Sequence, residues 1–353
     1  MKNAQTDWTG QTLYAGIDLH KKKWVISVRT RDLYLKTFVT NSDQEVLLKS
    51  FRNNWPGAEI IAVYEAGCFG YHLSKFLNNN AIKTIVVAPH TIPVAPGLFV
   101  KTDKLDSKKL ALELAKGSLK GIYQPPSQQL YDRGLLRKRR QLIKRKVQVQ
   151  LQLKSDLLFY GIETNVNEAR YWSKKAYQEL RDIEFDNEYF KKVFLLILKE
   201  YEELIERIKE IDGLLDELSK LNKYRKQFEL LRTIPGIGKL AALNIILEIG
   251  DIKRFNSADK FASYLGLTPS ERSSGETKWI GSLTGMGQSI LRTLFIESSW
   301  AAIKKDPALL KKYQRLTAKK MPAKAIVAVA KSLANRTRKV LIDEEPYVIG
   351  IVR

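Results

Sequence analysis

The sequence is poor in cysteine and contains no long hydrophobic run. Its 353 residues include one cysteine, Cys68, which excludes an internal disulfide framework and is typical of a protein in a reducing compartment. We expect this cysteine to be a small buried hydrophobic residue. No apolar stretch approaches the roughly 18 residues of a membrane span, and the N-terminal residues lack the apolar segment of a signal peptide. These absences predict a cytoplasmic protein with no membrane partner.

Negative charge is also scarce. The chain has 38 Asp and Glu residues against 60 Lys and Arg residues, a net charge of +22 and a calculated isoelectric point near 9.8. For a globular protein such an excess predicts a polyanionic partner, and nucleic acid is the simplest one. A basic protein without such a partner is the alternative, but the basic residues cluster, which favours nucleic acid. The length leaves room for two or three domains.

The N-terminal third carries the pattern of a mixed α/β sheet. Three short strands, LYAGIDL, KWVISVR and LYLKTFV, follow one another as a meander. An amphipathic helix, the apolar strand EIIAVYEA, a second helix, the apolar strand KTIVVAP and a third helix complete the pattern. This order is typical of ribonuclease H-like folds, so we expect a mixed sheet with helices on both faces.

Four carboxylates occur where such a fold would gather them. Asp18 ends the first strand and Glu65 ends the fourth, and these two strands would be neighbours in the sheet. Asp103 and Asp106 lie three residues apart at the start of the third helix, hence on one face of it. Each has an ordinary explanation as well, because Asp favours turns and the helix dipole favours acids in a first turn. Together they would be costly unless hard cations, Mg²⁺ or Mn²⁺, bound between them, and two such ions about 4 Å apart support phosphoryl transfer.

A long basic helix follows the helix-breaking sequence QPPSQQ. From Leu130 to Tyr160 the apolar residues recur near heptad spacing, so one face can pack while the other meets phosphates. A solvated face is the alternative, but almost no acid interrupts the run. A second helical pattern, from Tyr189 to Leu230, predicts a coiled coil or a hairpin partner, within one chain or between two. The candidate phosphate contacts on the first helix are Arg137, Lys138, Arg139, Arg140, Lys144, Arg145 and Lys146.

The C-terminal region begins with a glycine-containing turn. In IPGIG, Gly236 and Gly238 flank an apolar residue and an apolar helix follows, the pattern of a helix-hairpin-helix turn whose backbone N–H groups can approach a phosphate. A plain turn between helices is an equal alternative. Farther on, Gly285 and Gly287 precede a helix with Arg292, a candidate phosphate clamp. A last basic helical segment carries Lys319, Lys320, Lys324, Lys331, Arg336 and Arg338.

Six motifs in a fixed order resemble one protein family. They are GIDLHKKKW, VYEAG, KTDKLDSKKLA, IPGIGKLAALNIILEIGDIKRF, YLGLTPSERSSG and LTGMGQSILRTLFIESSWAA. In this order they resemble the transposases of the bacterial IS110 insertion-sequence group, which are kin of the Piv DNA invertase. The resemblance covers nearly the whole chain, from about Leu13 to about Arg338, and the joint spacing of the motifs makes chance agreement improbable.

The resemblance implies a RuvC-like N-terminal domain of the DEDD type and a C-terminal transposase domain with a nucleophilic serine in a Ser-Gly motif. The acidic set would be Asp18, Glu65, Asp103 and Asp106, and the serine would be Ser274. By resemblance, this serine forms a covalent phosphoserine bond with DNA, while cations held by the carboxylates activate it and stabilise the leaving 3′-oxygen. The resemblance also implies guidance by a structured RNA from the element's ends, the bridge RNA. It further implies a homo-oligomer, a dimer or tetramer, in which the RuvC-like domain of one subunit completes the serine site of another.

The assignment of the serine depends on this resemblance. Ser270, Ser273 and Ser274 occupy the glycine-flanked polar segment SERSSG, in which a serine is most often a loop residue. No histidine base lies nearby in sequence, which is consistent with activation by metal. Between the Ser-Gly pair and the next helix the only basic residue is Lys278, fewer than the resemblance predicts.

We therefore predict three regions and one function. The regions are a RuvC-like catalytic domain over 11–125, basic helices and a coiled coil over 126–228, and a mainly α-helical transposase domain over 229–345. The function is metal-dependent DNA recombination for a mobile element, guided by RNA. A RuvC-type nuclease or junction resolvase that hydrolyses with water is the first alternative, because it needs only the four carboxylates. A nucleic-acid-binding protein on an inactive scaffold is the second.

Overall fold

Strands gather in the N-terminal part of the chain and helices in the rest, as a computed structural model shows. Two units divide between residues 124 and 125. The residues described are 7–93, 103–169, 172–274 and 277–350. The elements of the first unit are β1 (Thr12–Leu19), β2 (Lys23–Arg29), β3 (Tyr34–Asn41), α1 (Gln44–Asn54), β4 (Glu59–Glu65), α2 (His72–Asn79), β5 (Lys83–Val87) and α3 (Asp103–Ala115).

The first unit holds the mixed sheet that the sequence predicts. Its strands lie in the order β3-β2-β1-β4-β5, with β2 antiparallel to β1 and β3, and β4 parallel to β1 and β5. Helices α1 and α2 pack on one face of the sheet through Leu47, Phe51 and Leu77. Helix α3 packs on the other face through Leu110 and Leu114. The ribonuclease H-like arrangement is confirmed, including β1 and β4 as neighbours.

Gly16 allows α3 to lie directly against β1. A Cβ atom at this position would lie 2.2 Å from the carbonyl oxygen of Ser107 and 2.5 Å from the backbone nitrogen of Ala111, so no side chain fits. On the neighbouring strand, Ser27 lies opposite Gly16, and its hydroxyl group forms a buried hydrogen bond of 2.9 Å with that of Ser107. These contacts hold α3 against β1, and the first turn of the helix therefore lies near the end of that strand.

Replacing Gly16 with alanine should destabilise the first unit. The added methyl group would meet backbone atoms of α3, which cannot rotate away, and we expect a loss of about 2 to 3 kcal/mol in the free energy of unfolding. Urea-induced unfolding followed by circular dichroism measures it. Gly213→Ala is the matched control, because a Cβ there has open space and alanine favours a helix by about 1 kcal/mol. Equal stability of the Gly16 variant and the wild type would contradict the close approach.

Cys68 departs from the prediction made from the sequence. It is exposed, in the segment that follows β4, and does not contribute to the core. Gly67 and Gly70 lie in the same segment, which leaves the sheet before α2 begins. The expected buried cysteine was wrong because the residue type favours burial, whereas its place beyond the end of a strand decides the outcome.

The second unit is mainly helical. No helix in the described part of the chain combines the length and apolar character that a bilayer span requires. The elements of the second unit are α4 (Ser127–Phe159), α5 (Lys174–Asp182), α6 (Glu188–Lys220), α7 (Asn222–Arg232), α8 (Lys239–Ile249), α9 (Ala258–Tyr264), β6 (Pro269–Ser274), β7 (Thr277–Leu283), α10 (Ser289–Ala302), α11 (Pro307–Thr317) and α12 (Pro322–Asp343).

The two longest helices, α4 and α6, form an antiparallel pair within the chain. Leu153 and Leu157, near the end of α4, pack with Phe194 near the start of α6. Leu136 packs in the same cluster as Leu215, toward the opposite ends of these helices. Of the alternatives that the sequence left open, the hairpin partner within one chain is the one observed.

Residues 270–274 of the segment SERSSG do not form a loop. These residues form most of β6, which pairs antiparallel with β7, and Ser273 and Ser274 lie opposite Lys278 and Thr277. The prediction of a loop was wrong because serine and glycine favour turns locally, whereas pairing with the sequence TKWIGSL, rich in residues that favour strands, extends the chain. The C-terminal region is therefore helical with one inserted β-hairpin.

Candidate metal centre and nucleic-acid contacts

Asp18 and Glu65 lie at the same edge of the sheet. The parallel register pairs Ile17 of β1 with Tyr64 of β4, so Asp18 and Glu65 are the next residues on adjacent strands. Gly16 faces α3 and Asp18 follows it by two residues, so Asp18 projects from the same face of the strand. The strand order predicted from the sequence thus brings these two carboxylate residues to neighbouring positions.

The first turn of α3 brings a third carboxylate to this edge. The Nε2 atom of His20 lies 3.0 Å from Oδ2 of Asp18 and 3.4 Å from Oδ2 of Asp103. One side-chain ligand atom from each of these three residues lies within 4.8 Å of the other two. Atoms at this spacing can share one cation, because ligands about 2.1 to 2.5 Å from an ion lie about 3 to 5 Å apart.

The pKa of Asp18 reflects burial first and neighbouring charges second. Burial raises the pKa of the Asp18 carboxyl group, the neighbouring His20 partly offsets this rise, and the charges of Asp103 and Asp106 raise it further. Asp106 therefore lies close enough for its charge to act on Asp18, although its side chain makes no direct contact that the structure records. A site that disfavours another negative charge favours a cation, so these residues fit a divalent metal ion.

His20 is the residue of this cluster that the sequence analysis missed. It follows Asp18 by two residues where β1 ends, and alternation along an extended chain places both side chains on the same side. The spacing of Asp18 and His20 could therefore have identified His20 from the sequence. What the sequence could not show is that α3, more than 80 residues later, brings Asp103 to the same imidazole ring. An imidazole nitrogen is a better ligand for Mn²⁺ than for Mg²⁺.

Ser274 is the last residue of β6, in the second unit. Its backbone lies opposite Thr277 in the hairpin. Gly275, its partner in the Ser-Gly motif, lies outside the described residues. The structure therefore gives this serine a fixed backbone position at the end of a strand, and its role as nucleophile stays a prediction.

Arg292 lies at the base of this hairpin. Its Nη1 atom is 3.5 Å from the carbonyl oxygen of Thr284, which follows β7. A Cβ atom on Gly266 would lie 2.6 Å from the same Nη1 atom. Gly287, whose φ is +100°, lies against the backbone of Gly266. The guanidinium group thus contacts the chain segments that enter and leave the hairpin. These backbone contacts occupy part of the hydrogen-bonding capacity of the guanidinium group. The contact of Arg292 with a phosphate stays a prediction.

Much of the basic run on α4 is neutralised within the protein. Arg137 pairs with Glu248 of α8 at 3.3 Å, where the Glu248 side chain is 1% exposed and also lies 3.4 Å from Arg133. Arg145 pairs with Glu200 of α6 at 2.7 Å. These acids are distant in sequence, which is why the run itself looked free of negative charge.

The other basic residues of that run vary in their surroundings. Arg139 forms an ion pair with Asp212 of α6, and Arg140 donates a hydrogen bond of 3.4 Å to the side chain of Asn244. The Nζ atom of Lys146 lies 5.9 Å from the centre of the Tyr201 ring. Lys138 and Lys144 are exposed and record no such contact within the described residues. Contact of this helix with phosphates stays a prediction, and it now rests on the residues without a carboxylate partner among the described residues, Lys138, Arg140, Lys144 and Lys146.

The IPGIG turn joins α7 to α8 as the sequence predicts, and packing explains one of its glycines. Gly236 has a φ of +85°, and a Cβ atom there would lie 2.1 Å from the carbonyl oxygen of Ser298 in α10. Gly238 precedes the first residue of α8, and Arg232 donates a hydrogen bond of 3.0 Å to the carbonyl oxygen of Ile237 between them. The turn needs Gly236 for packing, so its presence does not by itself indicate phosphate binding.

Comparison with known proteins gives matches over both units. A profile described as "Transposase IS116/IS110/IS902 family" matches residues 228–314, and a DEDD profile of IS110 elements, described as "Transposase", matches residues 15–162. The transposase for insertion sequence element IS1533 of Leptospira borgpetersenii is 27% identical over 248 residues, 68% of this chain and 70% of that protein. The pilin gene-inverting protein of Moraxella lacunata is 26% identical over 344 residues, 95% of this chain and 97% of that protein.

Proposed function

Because the chain belongs to the IS110/IS116/IS902 family of insertion-sequence transposases, we propose that it cleaves and rejoins DNA strands through a covalent bond between a DNA phosphate and Ser274. Its general activity, that of a DNA transposase of a mobile element, follows from the family. The observation that best supports the proposed chemistry is the convergence of Asp18, His20 and Asp103 at the end of β1.

We assign the metal-binding role to the four carboxylates, Asp18, Glu65, Asp103 and Asp106. For Glu65 the support is the strand register that places it beside Asp18. For Asp103 it is the ligand atoms of Asp18, His20 and Asp103 within 4.8 Å of one another, and for Asp106 it is the effect of its charge on the pKa of Asp18. Mg²⁺ or Mn²⁺ would suit these oxygen ligands. When bound, such a cation would favour deprotonation of an attacking hydroxyl group and offset negative charge on the phosphate. The protein's part is to hold the carboxylates at fixed positions on a sheet edge and a packed helix.

Ser274 takes the role of nucleophile in this proposal. Its Oγ atom forms a bond to phosphorus, the bond from phosphorus to the 3′-oxygen breaks, and the DNA strand leaves with a 3′-hydroxyl group. One phosphate ester replaces another, so transfer of the phosphoryl group to a different 3′-hydroxyl needs no external energy source. The carboxylates and the serine belong to different units, and the proposal allows them to act together within one subunit or across two.

Guidance by RNA and assembly into a homo-oligomer complete the proposal. Support comes from the resemblance to the family and from the net charge of +22, which favours polyanionic partners. In this scheme base pairing with a structured RNA selects the target, while the protein holds the backbone. The proposed catalytic region is 11–125, the proposed basic and coiled-coil region is 126–228, and the proposed transposase region is 229–345.

The proposed chemistry can be tested by trapping the covalent intermediate. The protein is incubated with donor DNA, target DNA, transcripts of the element's ends and Mg²⁺, then denatured with detergent and resolved by electrophoresis. We expect a labelled protein–DNA adduct, lost when EDTA replaces Mg²⁺ and reduced when the transcripts are omitted. Strand cleavage without any adduct would contradict the serine mechanism and favour hydrolysis by water.

His20 should strengthen metal binding. Its ring nitrogen lies beside both Asp18 and Asp103, so His20→Ala removes either a ligand or the group that orients two ligands. We expect Mn²⁺ affinity to fall by about tenfold or more in isothermal titration calorimetry. His72→Ala serves as the control, because that histidine is exposed and its Nδ1 atom lies 2.8 Å from the carbonyl oxygen of Phe69 rather than beside a carboxylate of the cluster. Tighter binding in the His20 variant would mean that the ring competes with the cation.

A further inference from the structure

We propose that α11 and α12 form a binding surface for the phosphate backbone of duplex DNA, centred on Lys312, Arg315, Lys331 and Arg336. We call it the α11–α12 basic surface. The inference rests on the proposed function for the nature of the polyanion. It concerns a part of the chain separate from the carboxylate cluster and from the basic run on α4.

The charge of this segment is one-sided along the chain. Helices α11 and α12 and the residues between them, 307–343, include ten Lys and Arg residues and one acidic residue, Asp343 at the end of α12. The run on α4 looks similar in sequence, yet acids from α6 and α8 pair with Arg137, Arg139 and Arg145 there. The decisive question is whether tertiary neighbours neutralise the second segment as they do the first.

Tertiary neighbours neutralise the basic residues of α11 and α12 only in part. Within the described residues, Lys331 pairs with the exposed Asp259 at 2.9 Å, and Arg336 pairs with Asp306 at 2.9 Å. Asp306 is fully buried and also accepts hydrogen bonds from Tyr347 and from the backbone of Leu309. Two of the ten basic residues therefore have a carboxylate partner in the part of the chain that the structure describes. A net excess of positive charge stays on these two helices.

The cations are also close to one another. Lys312 of α11 lies half-buried against α12, where its Nζ atom contacts the hydroxyl group of Ser332. Burial lowers the pKa of the Lys312 ammonium group, and the charges of Arg315, Arg336 and Lys331 lower it further. Lys312 and Arg315 therefore lie near Lys331 and Arg336, whose own charges Asp259 and Asp306 partly offset. A phosphate bound beside Lys312 and Arg315 would offset the positive charge that these two carboxylates leave unbalanced.

Duplex DNA supplies anions in the required form. It carries one negative charge for about every 1.7 Å of its axis, so a row of cations across two packed helices can meet several phosphates at once. The family acts on DNA, and binding to the backbone needs no base sequence, which suits a protein whose target is chosen by other means. The α11–α12 basic surface would then hold the duplex without reading it.

The test compares two variants that lose the same charge. The first carries Lys312→Gln, Arg315→Gln and Lys331→Gln, and the control carries Lys192→Gln, Lys199→Gln and Lys209→Gln on α6. Fluorescence anisotropy measures binding to a labelled 30-base-pair duplex from about 0.1 to 0.4 M salt, in EDTA so that no strand is cut. For the first variant we expect the slope of log affinity against log salt to fall by about 2 to 3, since each phosphate contact contributes about 0.9. We also expect its affinity near 0.15 M salt to fall about tenfold or more, with the control unchanged.

Three results would overturn the inference. One is an equal loss in both variants, which would show an effect of net charge alone. Another is loss of binding to a structured RNA competitor with duplex binding intact, which would make this an RNA surface. The third is an unchanged slope for Arg315→Glu, an exposed single substitution that avoids the half-buried Lys312 and so keeps the fold. Because no chemistry occurs in this assay, absence of the covalent adduct would overturn the proposed function and leave this surface standing.

Discussion

Asp18→Asn is expected to reduce strand cleavage and rejoining by roughly 10³-fold or more while leaving DNA binding intact. Asp18 is the centre of the carboxylate cluster: His20 contacts it directly, and the charges of Asp103 and Asp106 act on it. Asparagine has almost the same shape as aspartate but lacks its negative charge and one of its two oxygen ligands. The substitution therefore removes the cation-binding capacity and keeps the packing. Adduct formation at saturating Mg²⁺ measures the first effect, and anisotropy with duplex DNA measures the second.

The stability of this variant gives an independent check of the cluster. Because the folded-state pKa of Asp18 is raised, the ionised form is less favourable in the folded protein than in the unfolded chain, and this cost is present above the raised pKa. A neutral asparagine avoids the cost. Without metal, the free energy of unfolding of Asp18→Asn at neutral pH should equal or exceed that of the wild type.

The control for Asp18→Asn is Asp32→Asn, the same change at an exposed position between β2 and β3. It should retain full activity. If Asp18→Asn also retained activity, the carboxylates at the sheet edge would have no catalytic role, and a nucleic-acid-binding protein on an inactive scaffold would be the better description. If DNA binding were lost together with activity, the cluster would act in binding rather than in chemistry.

The part of this site that could be predicted from the sequence is the part that depends on strand order. Asp18 and Glu65 each end an apolar strand, and the order of elements was enough to make those strands neighbours. The periodicity of α3 likewise placed Asp103 and Asp106 on one face. Such patterns are local, and a sheet with helices on both faces offers few ways to arrange them.

The features that the sequence did not show arise where distant segments decide the outcome. The basic run on α4 looked free of acids, but Glu248 and Glu200 reach it from helices that follow much later in the chain. The segment ending in Ser274 looked like a loop until its pairing with β7 was known. His20 was overlooked because its neighbour Asp103 comes from α3. Each case turns on a tertiary contact, about which composition and spacing carry no information.

Ser274→Ala is expected to eliminate the covalent protein–DNA adduct, with rejoining reduced by roughly 10³-fold or more, because no other group would supply the oxygen that bonds to phosphorus. The substitution removes one oxygen atom at the end of β6 and leaves the backbone pairing with Thr277 possible, so stability should change by less than about 1 kcal/mol. Mn²⁺ affinity, measured by calorimetry, should equal that of the wild type, since the carboxylates belong to the other unit.

Ser273→Ala is the matched control, one residue earlier on the same strand. Under the proposed mechanism it keeps the adduct, and the contrast between the two variants identifies the nucleophile.

The pattern of products also separates the enzymatic alternatives. A junction resolvase that uses water would cut DNA equally well with alanine at either position, because it needs only the carboxylates. Loss of the adduct in Ser273→Ala but not in Ser274→Ala would move the nucleophile by one residue and leave the chemistry unchanged. Loss of cleavage and adduct together in Ser274→Ala alone, with metal and DNA binding intact, is the result that only a serine nucleophile explains.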